Sequence, residues 1–181
     1  MIIILLIVIA FILWKIYSQE ERPIKSKATK ASPSSTKRGS YSPSLSSRKR
    51  ENLSHLQLLV SLAMSDGVLD KAELKFITHI AVQRGIPEDH FLAIFRDPTI
   101  ISYVPPSSDA SRLINLYEMV MLMMIDGDID KNEIYVCVAT ARKLGFKAEV
   151  VSLLVEVLIK QIAEGIAKEI ILRDLEKRMR A

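Results

Sequence analysis

The sequence predicts an all-α protein: a single helical bundle of about seven helices made of two similar halves, set behind an apolar N-terminal helix and a basic linker. Three observations carry this. Apolar residues recur three and four positions apart, and no segment alternates apolar with polar long enough to make a strand. The segment DGVLDKAELKFITHIAVQRGI at 66–86 returns sixty residues later as DGDIDKNEIYVCVATARKLGF at 126–146. Glycine and proline stand where helices would stop and start.

The chain opens MIIILLIVIAFILW, followed by Lys15, Ile16 and Tyr17. As a helix the apolar run spans about 21 Å, and carrying it to Tyr17 with Lys15 snorkelling gives about 26 Å, enough for a modestly thinned bilayer. Trp14 and Tyr17 sit where an interfacial aromatic belt belongs. A secretory signal would carry positive charge before the run and small residues after it; here the chain begins Met-Ile-Ile and continues S-Q-E-E-R-P. Residues 1–17 are read as an uncleaved, single-pass anchor. Lys and Arg are in excess beyond it, which places the remainder on the cytoplasmic side.

Residues 18–50 are rich in Ser, Lys, Arg and Pro and nearly devoid of large apolar side chains, so they are read as a disordered basic linker. The net charge of +4 is unevenly spread: Lys15 to Arg50 holds ten basic residues against Glu20 and Glu21, which leaves the rest of the chain acidic by four. The basic character thus belongs to the linker, where it suits contact with anionic membrane lipid. Only Tyr41 interleaves with those charges, so nucleic acid is not an expected partner.

The folded part is expected over 51–181, its halves over 53–97 and 109–163. Leu56, Leu59, Val60 and Ala63 share one face of a first helix, and Leu74, Ile77, Ala81 and Val82 one face of a second. Gly85 then supplies a left-handed stop, Pro87 opens a third helix with its apolar face between His90 and Phe95, and Asp97-Pro98 closes it. After a connector through Pro105-Pro106, Ser108 or Asp109 caps a helix over 110–125. Its run Met119, Met121, Met123 and Met124 is a core pattern, with an adaptable partner surface as the alternative. Further helices follow over 131–144, 149–163 and 166–179, the last with Lys168, Arg173, Lys177 and Arg178 on its polar side.

The repeat is densest in its acidic bends. Asp66, Gly67, Asp70, Lys71 and Glu73 match Asp126, Gly127, Asp130, Lys131 and Glu133, and Ala81 and Gly85 match Ala141 and Gly145. One reading is capping: D-x-x-E places Asp70 or Asp130 at a helix start with Glu73 or Glu133 reaching back, on the order of 1 kcal/mol per cap. This leaves Asp66, Asp126 and Asp128 unexplained. An EF-hand does not explain them, because loop positions six and twelve hold Lys131 and Cys137 in place of Gly and Glu. The second reading is a shared oxygen-ligand site. Asp66, Asp70, Glu73, Asp126, Asp130 and Glu133 would together suit a hard divalent cation, calcium or magnesium rather than zinc.

The doubled D-G-x-[IL]-D-K-x-E-[IL] motif, each copy leading into a helix closed by glycine, resembles the TerB-like family. That family is named for tellurite resistance and is found also as the N-terminal domain of membrane-anchored DjlA-type co-chaperones. The resemblance covers about residues 52–181. It implies an all-helical domain of two related halves, a membrane-associated stress response, and metal binding by the six acidic residues just named. The anchor is similar to the DjlA arrangement, but the sequence holds no J domain and no H-P-D tripeptide, so Hsp70 recruitment by that route is not expected.

Catalytic signatures are missing from the sequence. His55, His79 and His90 have no ligand spacing with one another, and there is no G-x-S-x-G, P-loop or H-E-x-x-H. Cys137, the single cysteine, lies among Val136, Val138 and Ala139 and reads as a buried thiol. The expectation is a non-enzymatic interaction module with an unidentified protein partner, tuned by a divalent cation at the bends. A metal-free scaffold or adaptor is the alternative, and a metal-dependent hydrolase a weaker one.

Overall fold

A computed structural model describes residues 45–65, 69–125, 127, 129 and 131–180. Seven α-helices and one 3-10 turn make up the described residues, with no strand among them. The expected anchor at 1–17 and most of the linker lie outside the described residues. Among those residues no helix is long and apolar enough to cross a membrane.

Helix α1, Ser47–Ala63, starts within the stretch expected to be linker: Ser46 caps it by accepting from the Lys49 backbone N–H. SRKR is polar but helix-compatible, and Leu45 packs on the core, so the helix gains an extra turn beyond the apolar pattern. Leu53, Leu56, Leu59 and Val60 are buried along it. Helix α2, Lys71–Gln83, begins with the expected capping box: Asp70 accepts from the Ala72 N–H, and Glu73 Oε2 accepts from the Asp70 N–H at 2.9 Å. Its end is closed by Gly85 at φ 62°, with the Ile86 N–H reaching back to the Ala81 carbonyl at 2.9 Å. That left-handed turn is one a β-carbon would strain.

Pro87 sits just before α3, Glu88–Arg96, rather than in its first turn. Glu88 and Asp89 at the start and Arg96 at the end complement the helix dipole. The connector crosses back over α1, where the Val104 N–H donates to Ser54 Oγ at 2.9 Å. Ser108 then caps α4, Asp109–Met123, through the Ser111 N–H. Helix α5, Lys131–Ala141, tightens into the 3-10 turn Arg142–Leu144 before Gly145 at φ 94°. Helices α6, Ala148–Ala163, and α7, Lys168–Arg180, complete the domain.

Helix α4 lies at the centre. It packs against α1, α2, α5, α6 and α7, while α1 also holds α2, α3 and α5. Leu113, Leu116, Met119, Val120 and Leu122 are all within 1 % of full burial, so the methionine run is core at Met119 and, at 7 % exposure, at Met123. Cys137 is fully buried in α5, and burial pushes its thiol up to about 12, far from a reactive thiolate.

Candidate functional site

Of the six acidic residues expected to form a cation site, Asp70, Glu73 and Glu133 fall within the described residues; Asp66, Asp126 and Asp130 lie outside them. Asp70 and Glu73 cap α2 as described, and Glu133 stands in the first turn of α5. No group of three or more His, Cys, Asp or Glu side chains within reach of one metal ion occurs among the described residues. The donor chemistry of Asp70 and Glu73 is that of a helix start. Both are carboxylates whose observed acceptors serve backbone N–H groups, and such oxygens keep lone pairs that a calcium or magnesium ion also favours.

A different charged cluster is built in the interior, and sequence reasoning missed it. Three helices and the end of a fourth converge on Glu118, which is 4 % exposed in the middle of α4. His55 of α1, 1 % exposed, places Nε2 2.9 Å from Glu118 Oε2. Arg84, just past the end of α2, donates from Nη2 to the same oxygen at 2.6 Å and to Asn115 Oδ1 at 2.8 Å. Lys168, the first residue of α7, donates to Glu118 Oε1 at 3.3 Å and lies 5.2 Å from the centre of the Tyr117 ring. Asn52 Nδ2 donates to the Arg84 carbonyl at 3.3 Å and ties the end of α2 to α1.

The electrostatics follow from this geometry. Burial disfavours an ionised Glu118, but the His55 hydrogen bond and the Arg84 and Lys168 charges hold its carboxyl at about 2. Burial pushes the His55 imidazole down to about 4; the hydrogen bond to Glu118 resists, and the Arg84 charge adds to the depression. At neutral pH the cluster is therefore a carboxylate, a neutral imidazole and two cations. An ionised Glu118 accepts only, so the proton on His55 is on Nε2. Nδ1 then carries the lone pair, and it is buried without a hydrogen-bond partner.

This arrangement is a poor catalyst and a good clamp. A general base has to reach a substrate proton, and the accepting nitrogen of His55 is sealed in the core. The Glu118 carboxylate already receives three donors. Joining α1, α2, α4 and α7 through one side chain fixes how those helices meet. A signal for the pair was present in the sequence: His55 adjoins Leu56 on the buried side of its helix, and Glu118 lies between Leu116 and Met119. Charge on an apolar stripe needs a partner, but sixty-three positions separate the two residues, and local spacing does not reveal which helix faces which.

Beside the clamp a cleft of about 550 Å³ opens between the N-terminal parts of α1 and α4. Arg84, Asn115 and Glu118 form its inner wall, and Arg48, Lys49 and Glu51 stand at its edge. Elsewhere on the surface large apolar side chains face solvent: Val82, expected on the apolar face of its helix, is 63 % exposed, and in the second half of the domain Tyr135 is 74 %, Leu153 61 % and Ile170 50 %. No protein-family model matches the chain, and neither does any curated protein or solved structure.

Proposed function

We propose that this chain is a TerB-like interaction module, non-enzymatic and tethered to a membrane by residues 1–17, whose helical domain faces the cytoplasm in a stress response. The observation that carries the interaction role is the exposed apolar set on α5, α6 and α7. Tyr135, Leu153 and Ile170 lie on helices packed in series, α5 on α6 and α6 on α7, and Val150 stands one turn from Leu153. Tyrosine is enriched among the residues that carry binding energy at interfaces, and grouped apolar side chains in water mark interaction surfaces. The Glu118 carboxylate, meanwhile, is engaged by three protein donors.

The two-halves reading has support in how the elements end. Helices α2 and α5 begin at Lys71 and Lys131, sixty positions apart. Met64 and Met124 close the preceding helices alike, each backbone N–H directed at carbonyls two and four residues earlier. Gly85 and Gly145 both take positive φ. A divalent cation at the bends belongs to the same proposal, with Asp66, Asp70 and Glu73 of one copy and Asp126, Asp130 and Glu133 of the other as its ligands.

Site-specific crosslinking from position 135 in the full chain, compared with the variant Leu153→Asp, tests the interaction role. A crosslinked partner that disappears in the variant at unchanged melting temperature supports it. Crosslinks that persist in the variant, or none from position 135, count against it. For the cation, titration with calcium and magnesium should raise the melting temperature, with about 2.7 kcal/mol of added stability at a hundred times the Kd; no rise would remove the cation from the proposal.

A further inference from the structure

We infer that the cleft between the N-terminal parts of α1 and α4 binds a phosphate group carried by a small molecule or a lipid head. This goes beyond the interaction role and depends on neither the anchor nor the acidic bends. The argument starts from what the inner wall has left to offer. Arg84 uses Nη2 for Glu118 and Asn115; among the described residues its Nε and Nη1 hydrogens meet no acceptor. Its side chain is 17 % exposed, held in place yet open on one side. Asn115, 4 % exposed, has its amide oriented by the bond from Arg84 to Oδ1, which turns Nδ2 into a donor with no protein acceptor among the described residues. Asn52 keeps a second amide hydrogen beyond the one given to the Arg84 carbonyl.

The acceptors of the inner wall are engaged: both Glu118 oxygens receive protein donors, and Asn115 Oδ1 receives Arg84. A ligand facing that wall meets unused donors and is favoured where it supplies acceptors. Charge points the same way. Arg48, Lys49 and Arg84 line the cleft against Glu51 and Glu118, a surplus of one positive charge, while Lys168, outside the lining, neutralises the far oxygen of Glu118. A phosphate group suits that positive surplus and offers several oxygens to the donors of Arg84, Asn115 and Asn52.

The clamp explains how such a site stays ready. Arginine is flexible when alone; here the guanidinium is fixed on Glu118 and Asn115 before any ligand arrives, so little side-chain freedom remains to be lost on binding. The volume is in the range of small-molecule sites. The pocket on the other side of Arg84, lined by Leu53, Ile86 and Pro87, is about 50 Å³ and too small for the same role.

Calorimetric titration of the full chain with inorganic phosphate tests this, with amide NMR shifts of Asn52 and Asn115 reporting the location. Binding should weaken at least tenfold in Arg84→Gln, as expected for one lost charge-assisted hydrogen bond. Because Arg84→Gln disturbs the clamp, the rim pair Arg48→Gln with Lys49→Gln is the second variant. Both side chains are exposed, so the fold should hold while phosphate affinity falls severalfold. Amide shifts of Asn52 and Asn115 on adding short-chain phosphatidic acid, compared with short-chain phosphatidylcholine, separate the sources. Shifts with phosphatidic acid that shrink in both variants while free phosphate gives no heat assign the site to a lipid head, whereas heat with free phosphate that falls in both variants assigns it to a phosphate group free in solution. Phosphate binding unchanged in both variants overturns the proposal. So does silence towards phosphate combined with phosphatidic acid shifts that are absent or equal in wild type and variants.

Discussion

Glu118 shows how one side chain can hold an interior together. Replacing it with alanine leaves His55 without its acceptor and Arg84 and Lys168 without their counter-charge, and Glu118→Ala is expected to cost about 3 kcal/mol in urea unfolding. That figure is at the low end for broken buried pairs, because Arg84 and Lys168 have a route to solvent. His55 gives the cluster a pH signature. Unfolded, it takes up a proton near 6.5; folded, only near 4. Between those values the unfolded chain binds more protons, so stability falls as pH drops through the window, by about 3 kcal/mol in all. Glu118 acts in the same direction lower down, since its folded carboxyl stays ionised to about 2 while the unfolded one protonates near 4.5. Urea midpoints taken from about pH 7 down to about pH 4 should therefore decline, and His55→Gln, which still donates to Glu118 but does not titrate, should flatten that decline. The sequence revealed these residues only as exceptions on apolar stripes.

Among the elements, the punctuation was easy to read and the packing was not. Asp70 with Glu73, Gly85 and Ser108 act where their spacing placed them, because caps and left-handed stops are decided within a few residues. The start of α1 at Ser47 escaped the apolar pattern because SRKR presents no apolar face; the turn is held by Ser46 and by Leu45 against the core. The 3-10 tightening at Arg142–Leu144 depends on how Leu144 reaches the core, which spacing does not encode. Two substitutions separate these local devices. Asp70→Ala should lose about 1 kcal/mol through the cap alone. Gly145→Ala should lose about 1–2 kcal/mol through the φ of 94°, since the nearest atom to an added β-carbon, Arg112 Nε at 3.6 Å, is at ordinary contact distance. Thermal unfolding of both, together with the double variant, should find the losses additive.

For the molecule as a whole, α4 determines what is tolerated. Met119→Ala removes a fully buried side chain from the helix that five others touch, and on the order of 2–4 kcal/mol should be lost. Tyr135→Ala, on the exposed face of α5, should stay within about 0.5 kcal/mol while removing a large part of the proposed partner surface. Equal losses from the two, in matched denaturation curves, would mean that the exposed and interior faces of the second half have been misassigned. The all-helical class was legible because periodicity reports it directly. The cleft beside Arg84 was not, because it exists only where two helices distant in sequence diverge.

The lone thiol of Cys137 turns the domain into its own stopwatch. A thiol sealed in α5 and kept protonated reacts with an alkylating reagent only during the moments when the fold lets go, so labelling speed under native conditions counts those moments directly. With a single cysteine in the chain there is no second signal to subtract. Loosening the Glu118 clamp should quicken the ticking, and a ligand lodged beside Arg84 should slow it.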